Sequence, residues 1–207
     1  VFVSVGCAFA SLAAPPVAVP LPAYRDVLST PARVAVAASG RLFVADPQTG
    51  RIVEFDPFGR VTGARTGFST PLALGFDAAG HLLVGEATPG RVRIYDAAWN
   101  VVGSLGAGDG EFQLPNFLAL DPTPGSNTVY VSDSAAHVVK VYQNGSLAFS
   151  FGGQGTGPGQ FDFPAGLRVT TNEVFVVDQN NDRIEVFDRS GVFLREFSLI
   201  TRIAPGL

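Results

Sequence analysis

An all-β fold is predicted by three observations on this sequence: one unit recurs four times, short apolar strands alternate inside each unit, and Gly, Asn or Asp turns separate those strands. The units open at Pro31, Pro71, Pro115 and Pro164, so successive spacings are 40, 44 and 49 residues. A unit of that length holding four strands is an antiparallel meander with two faces to cover. Radial packing of sheet on sheet covers both, which makes the architecture a β-propeller of four visible four-stranded blades.

The elements follow in the same order in every unit. After the Pro comes an apolar strand and a turn. A second strand then ends in an acid: LFVAD closes on Asp46, LLVGE on Glu86, VYVSD on Asp133 and VFVVD on Asp178. The third strand is RIVEFD, RVRIYD, VVKVYQ or RIEVFD, and a further turn leads into a short fourth strand. Alternation puts Ile52 and Glu54 on one face of the third strand, and Val53 and Phe55 on the other. The expected blades are residues 31–70, 71–114, 115–163 and 164–204, with the start of a fifth at 205, where Pro205-Gly206-Leu207 repeats the opening of the fourth on period.

In VVDQNNDRIEVFDRSGVFLREF the motif resembles the NHL repeat: Asp178, Asn181, Arg183, Ile184, Phe187, Asp188 and Gly191 fall at its pattern positions. Asp46, Arg51, Ile52, Phe55, Asp56 and Gly59 do so in the first unit. The second unit keeps Arg91 but has Glu86 for the first acid, and the third has Val138 where the Arg belongs, beside His137. The resemblance implies a ring of six blades, of which this chain would be a fragment. It also brings in two relatives of the fold, metal-assisted lyases and lactonases, whose sites lie in the central channel.

An acid with an Arg five residues on, repeated once per blade, reads as architecture. Asp46–Arg51, Glu86–Arg91 and Asp178–Arg183 are expected to be hydrogen-bonded pairs across a hairpin, because a guanidinium can hold a carboxylate with two donors. Asp133 lacks that partner; either His137 takes its place or the site faces the rim. Asp133 with His137, and Trp99 in a turn where other units carry smaller residues, are therefore the candidate rim contacts. The competing reading of Trp99 is a cover over a neighbouring loop.

Several chemistries lack their residues. FGGQGTGPGQFDFP (151–164) and SLGAGDGEFQLP (104–115) are Gly-rich but carry no Lys-Ser/Thr and precede strands, so they read as joints between blades and not as phosphate loops. DQNND (178–182) begins like a calcium loop, yet Arg183 stands at its turn position and Arg189 at its twelfth. Two histidines, His81 and His137, cannot make a three-His zinc centre, and one cysteine cannot make a disulfide or a Cys zinc site. No metal, cofactor or catalytic residue is assigned. With Lys140 the only lysine and a net charge of −4, no basic groove for nucleic acid is expected.

Residues 1–14 are apolar and uncharged, and residues 15–30 are Pro-rich. The first segment reads as the remnant of an export signal, with Ser4-Val5-Gly6-Cys7 resembling a lipobox and Cys7 the candidate lipidation site. The second reads as a tether and candidate closing strand. The alternative is an apolar N-terminal strand burying Cys7. The expectation is an exported, periplasmic or cell-surface protein, lipid-anchored if Cys7 is modified, that binds protein, peptide or envelope glycan through a rim. A channel lyase or lactonase and an extracellular sensor domain remain the alternatives.

Overall fold

The computed structural model describes residues 27–198. The export segment with Cys7, nearly all of the Pro-rich tether and the segment from 205 lie outside them.

Four antiparallel sheets of four strands follow one another along the chain. Blade 1 is β1 (Arg33–Val36), β2 (Leu42–Asp46), β3 (Arg51–Phe55) and β4 (Val61–Thr66). Blade 2 is β5 (Pro71–Phe76), β6 (Leu82–Glu86), β7 (Arg91–Tyr95) and β8 (Val101–Ser104). Blade 3 is β9 (Pro115–Leu120), β10 (Thr128–Asp133), β11 (Val138–Gln143) and β12 (Ser146–Gly152). Blade 4 is β13 (Pro164–Val169), β14 (Glu173–Asp178), β15 (Arg183–Asp188) and β16 (Phe193–Ser198).

First strands lie side by side, β1 with β5, β5 with β9 and β9 with β13, so they face the axis and the fourth strands lie outside. This is part of a β-propeller. Each blade carries a bulge at the same point between its third and fourth strands, beside Phe55, Tyr95, Tyr142 and Phe187. The extra residue sharpens the twist that lets one flat-sided sheet stack on the next.

One apolar cluster fills each blade interface. Between blades 1 and 2, Ala35, Phe43 and Ile52 meet Leu74, Leu82 and Val84. Between blades 2 and 3, Leu83 and Val92 meet Leu118, Val129 and Val131; between blades 3 and 4, Val139 and Val141 meet Val174 and Val176. Each fully buried aliphatic side chain is worth roughly 1.5–3 kcal/mol, so these contacts are the main stabilising term.

The Gly-rich segments are crossovers from an outer strand to the next inner strand, and a Phe three residues before the Pro plugs each interface. Phe68 sits 5.8 Å from Tyr95, Phe112 5.6 Å from Tyr142, and Phe161 5.5 Å from Phe187, centroid to centroid. Backbone bonds lock the plugs in place: Phe68 N–H donates to Gly50 O and Phe112 N–H to Gly90 O, both at the turns between second and third strands.

Gly90 shows how tight that joint is. Its φ is +79°, and a Cβ there would stand 1.8 Å from the carbonyl oxygen of Phe112, whereas Gly80, at φ +84°, has open space around it. Gly80→Ala is expected to lose about 1–2 kcal/mol, the ordinary left-handed penalty, and Gly90→Ala clearly more. Denaturant unfolding checks this; equal losses would mean the joint is not constrained.

Candidate functional site

The acids at the ends of the second strands are fully buried in all four blades. Opposite Asp46, Glu86 and Asp178 in the β-register stand Arg51, Arg91 and Arg183. Arg51 Nε lies 3.2 Å from Asp46, Arg91 Nε 2.8 Å from Glu86 and Arg183 Nε 2.8 Å from Asp178. The acids also have partners that are remote in sequence. Each accepts backbone N–H groups from the residues just before the Pro that opens its blade. Asp46 takes Ser29 and Thr30 at 3.0 and 2.8 Å, Glu86 takes Ser69 at 2.9 Å, and Asp133 takes Leu114 at 2.8 Å and Gln113. Asp178 takes Asp162 N–H at 2.7 Å. The carboxylate thus clamps the incoming crossover to the blade it enters.

Two sequence expectations are corrected here. Asp133 is not a rim contact and not unpaired: it is wholly buried, and the Lys140 ammonium lies 3.1 Å away. Lys140 stands two residues beyond Val138 on the same face of β11, so its long stem reaches back diagonally to Asp133. His137 does not pair with Asp133 either. It adopts φ +57° at the end of the 3-10 turn Ser134–Ala136, and its Nδ1 accepts the Phe163 N–H at 3.3 Å. His81 bonds Asp77 across the β5–β6 turn at 2.9 Å.

Trp99 lies elsewhere, on the rim formed by the turns after first and third strands. In the equivalent turns Gly59 and Gly191 take left-handed φ values of +80° and +85°; Trp99 takes +68°. A bulky residue is strained there by about 1–2 kcal/mol. Its indole folds back over the interface of blades 1 and 2, half-buried, with centroids 5.8–6.2 Å from Tyr95, Phe68 and Phe43. Nε1–H donates to Glu54 at 3.1 Å.

Glu54 is the second departure from the repeat. Its place on the third strand holds Ile94, Val141 and Val186 in the other blades, all aligned by the same cross-strand register. A buried carboxylate thus replaces an aliphatic side chain. Arg41 pairs with it, Arg65 lies 3.7 Å away, and Arg65 also sits over the Trp99 ring at 5.6 Å. A third difference makes room for both. β4 has Gly63 and Arg65 where β12 has Phe149 and Phe151, and Phe151 packs directly on Gly191. In blades 3 and 4 the outer strand supplies the ring and the turn supplies Gly. In blades 1 and 2 the exchange is reversed.

The exchange leaves a cavity of about 250 Å³ lined by Phe43, Phe76, Leu82 and Trp99, with Glu54, Arg41 and Asp96 as its charged lining. Sequence reading singled out Trp99 but missed Glu54, whose only signal was an acid at an aliphatic position of the repeat.

The clamp has a pH signature. Burial alone would raise the Asp46 pKa, but the Ser29 and Thr30 N–H groups, Thr49 and Arg51 outweigh it and hold the carboxyl well below the ordinary range. A depressed folded-state pKa contributes stability above the unfolded value, near 3.8, that is lost as pH falls through and below it. Asp46→Asn is therefore expected to flatten the fall in unfolding free energy between about pH 5 and pH 2. An unchanged slope would contradict the clamp.

No protein-family model and no curated protein sequence matches the chain. Solved structures do. Virginiamycin B lyase from Staphylococcus aureus aligns with TM-score 0.64 and 14% identity over 81% of this chain and 55% of that one. The WD40 β-propeller domain of Doa1 aligns with TM-score 0.61 and 17% identity over 80% and 53%. A chain of a nidogen/laminin complex gives 0.66 and 16% over 84% and 65%. The chain spans about half to two-thirds of the length of these structures. At such identities they share the fold with it, and that fold is the β-propeller.

Proposed function

We propose that this chain is a binding propeller that holds a segment of a partner protein on the Trp99 rim, with one large apolar or aromatic side chain seated between blades 1 and 2. The observation that carries this reading is the meeting of two departures from the repeat, Glu54 and Trp99, in one open cavity. Architecture explains the positions that recur in every blade. It does not call for a strained Trp and a buried acid in one of them.

The chemistry supports a side-chain pocket. Its volume of about 250 Å³ is below the range of roughly 300–1,000 Å³ usual for small-molecule sites. A mostly aromatic wall with a few fixed polar groups matches the central anchors of protein interfaces. Glu54 fixes the indole by its hydrogen bond, so the wall is preorganised. Two of the solved neighbours, the Doa1 domain and the nidogen/laminin chain, support a protein-binding role by fold alone. The repeated acid, Arg and aromatic positions support the NHL class of propellers and a ring of six blades. The apolar stretch through Cys7 supports export with lipid anchoring; palmitate labelling of the full-length product in cells, lost in Cys7→Ser, tests that part.

Trp99 is the only tryptophan, so its emission reports on the pocket directly. Peptides selected from a displayed random library on the intact chain are expected to shift that emission. They should bind at least tenfold more weakly to Ala38→Arg and Ala97→Arg, exposed turn positions on the cavity, with Tm unchanged in both variants. Selected peptides that bind the blocked variants equally and leave the emission unchanged would contradict the reading.

A further inference from the structure

The interface of blades 2 and 3 lacks a part that both of its neighbours have. Between blades 3 and 4 the outer strand supplies rings, Phe149 opposite Val141 and Phe151 opposite Val139. Between blades 1 and 2 the turn after β7 supplies the Trp99 indole. Between blades 2 and 3 neither source delivers one. β8 has Gly103 opposite Ile94, and Leu105 follows bonded to Val92, at the places of the two phenylalanines. The β11–β12 turn is Asn144-Gly145, left-handed at φ +51° and +81°, where blade 2 carries Trp99. Leu83 and Leu120 hold the strand positions of Phe43 and Phe76, which meet edge to face one interface earlier.

A cavity of about 440 Å³ results, with Leu83 and Ile94 of blade 2 on one side and Leu120 and Val129 of blade 3 on the other. Both walls are described four-stranded sheets. The volume falls within the roughly 300–1,000 Å³ usual for small-molecule sites. One polar corner is built into it. Asp77 Oδ1 accepts the Ala79 and His81 N–H groups at 3.0 and 2.8 Å and so holds the β5–β6 turn. Asp56 and Asp96 close their turns in the same way with no histidine. Oδ2 is left for the imidazole, and His81 Nδ1 lies 2.9 Å from it. With the Nδ1 proton given to Asp77, a neutral imidazole keeps its lone pair on Nε2. Nε2 has no hydrogen-bond partner among the described residues. The blade 1 equivalent of His81, Arg41, pairs with Glu54, but here the place of Glu54 is taken by Ile94.

We propose that this cavity binds a phenol, its ring in the space that aromatic side chains fill at the flanking interfaces and its hydroxyl donating to His81 Nε2. The repeat selects the ring, since both neighbouring interfaces complete this layer with one. His81 selects the donor, because an accepting nitrogen beside an apolar wall rewards a hydroxyl and not a bare hydrocarbon. No Lys or Arg lines the cavity and Asp77 does, so a carboxylate or phosphate head group is disfavoured. This site is separate from the Trp99 cavity, and neither reading depends on the other.

The test titrates the intact chain with p-cresol, using toluene as the control without a hydroxyl and cyclohexanol as the control without a flat ring. The expected result is a saturable shift of the Leu120 and Val129 methyl resonances and of His81 Nε2, in the millimolar range or tighter, with both controls at least fivefold weaker. His81→Leu keeps an apolar wall and should reduce p-cresol to the affinity of toluene. Gly103→Phe restores the ring that the outer strand of blade 3 carries. A Cβ at Gly103 meets only Ile94, at 3.6 Å, an ordinary contact. That variant should fold with Tm at or above that of the parent chain and bind p-cresol at least tenfold more weakly. No saturable shift, equal affinity for toluene and p-cresol, or full binding to both His81→Leu and a folded Gly103→Phe would overturn the proposal. So would nuclear Overhauser contacts from residues 1–26 or 199–207 to Leu120, which would assign the cavity to the chain itself.

Discussion

The structure depends on one interaction repeated four times: a buried carboxylate at the end of each second strand, bonded to the backbone N–H groups of the crossover that enters its blade. Each crossover runs into Pro31, Pro71, Pro115 or Pro164, which has no N–H, so the peptides one or two residues before it are among the last donors ahead of the inner strand. Buried without an acceptor, each would cost about 1–3 kcal/mol. The carboxylate satisfies them, and a cation across the hairpin pairs with it. Because the crossovers into blades 2, 3 and 4 carry the plugging Phe three residues before the Pro, fixing the crossover there also fixes the ring that fills the blade interface. Hydrogen bonding at one end of the blade and hydrophobic packing between blades are thereby a single constraint.

The cation of that unit reaches further than its acid. Arg183 donates to the carbonyls of Thr156, Gly157 and Gln160 at 2.7–3.0 Å, and so threads the whole Gly-rich crossover onto blade 4. Lys140 does the same in blade 3 through the Glu111 carbonyl. Glycine suits these segments because a side chain at Gly152 or Gly155 would collide with Phe161 or Gln160. The opposite case is Glu185 beneath that crossover: burial raises its pKa, and its second carboxylate oxygen has no partner. It is one polar group that the packing leaves incompletely served.

What was legible in the sequence is what the repeat makes local. Strand ends, the phase of the units, and the Asp46, Glu86 and Asp178 pairs with Arg51, Arg91 and Arg183 all follow from cross-strand register within one hairpin. The rest joins residues far apart in the chain. The N–H partners of the acids lie 16 to 20 residues upstream, Glu54 and Trp99 are 45 residues apart, and Arg33 and Asn116 are 83 apart. Lys140 was overlooked because its register is diagonal to Asp133 instead of opposite it. The plugging phenylalanines had a signal, Phe-x-x-Pro at 68, 112 and 161, that periodicity of strands alone does not expose. In a repeat protein the informative residues are those that break the pattern and still find a partner, as Glu54 and Trp99 do.

Amide hydrogen exchange tests the central constraint most directly. If the carboxylate clamps hold the propeller together, the N–H groups of Thr30, Ser69, Leu114 and Asp162 exchange only through global unfolding, with protection equal to that of core amides such as Val84 and Val131, although they belong to loops. Exchange of these four at the rate of the exposed turn amides of Phe58 and Ser190 would show that the crossovers open on their own, and that packing between blades stands without the clamp.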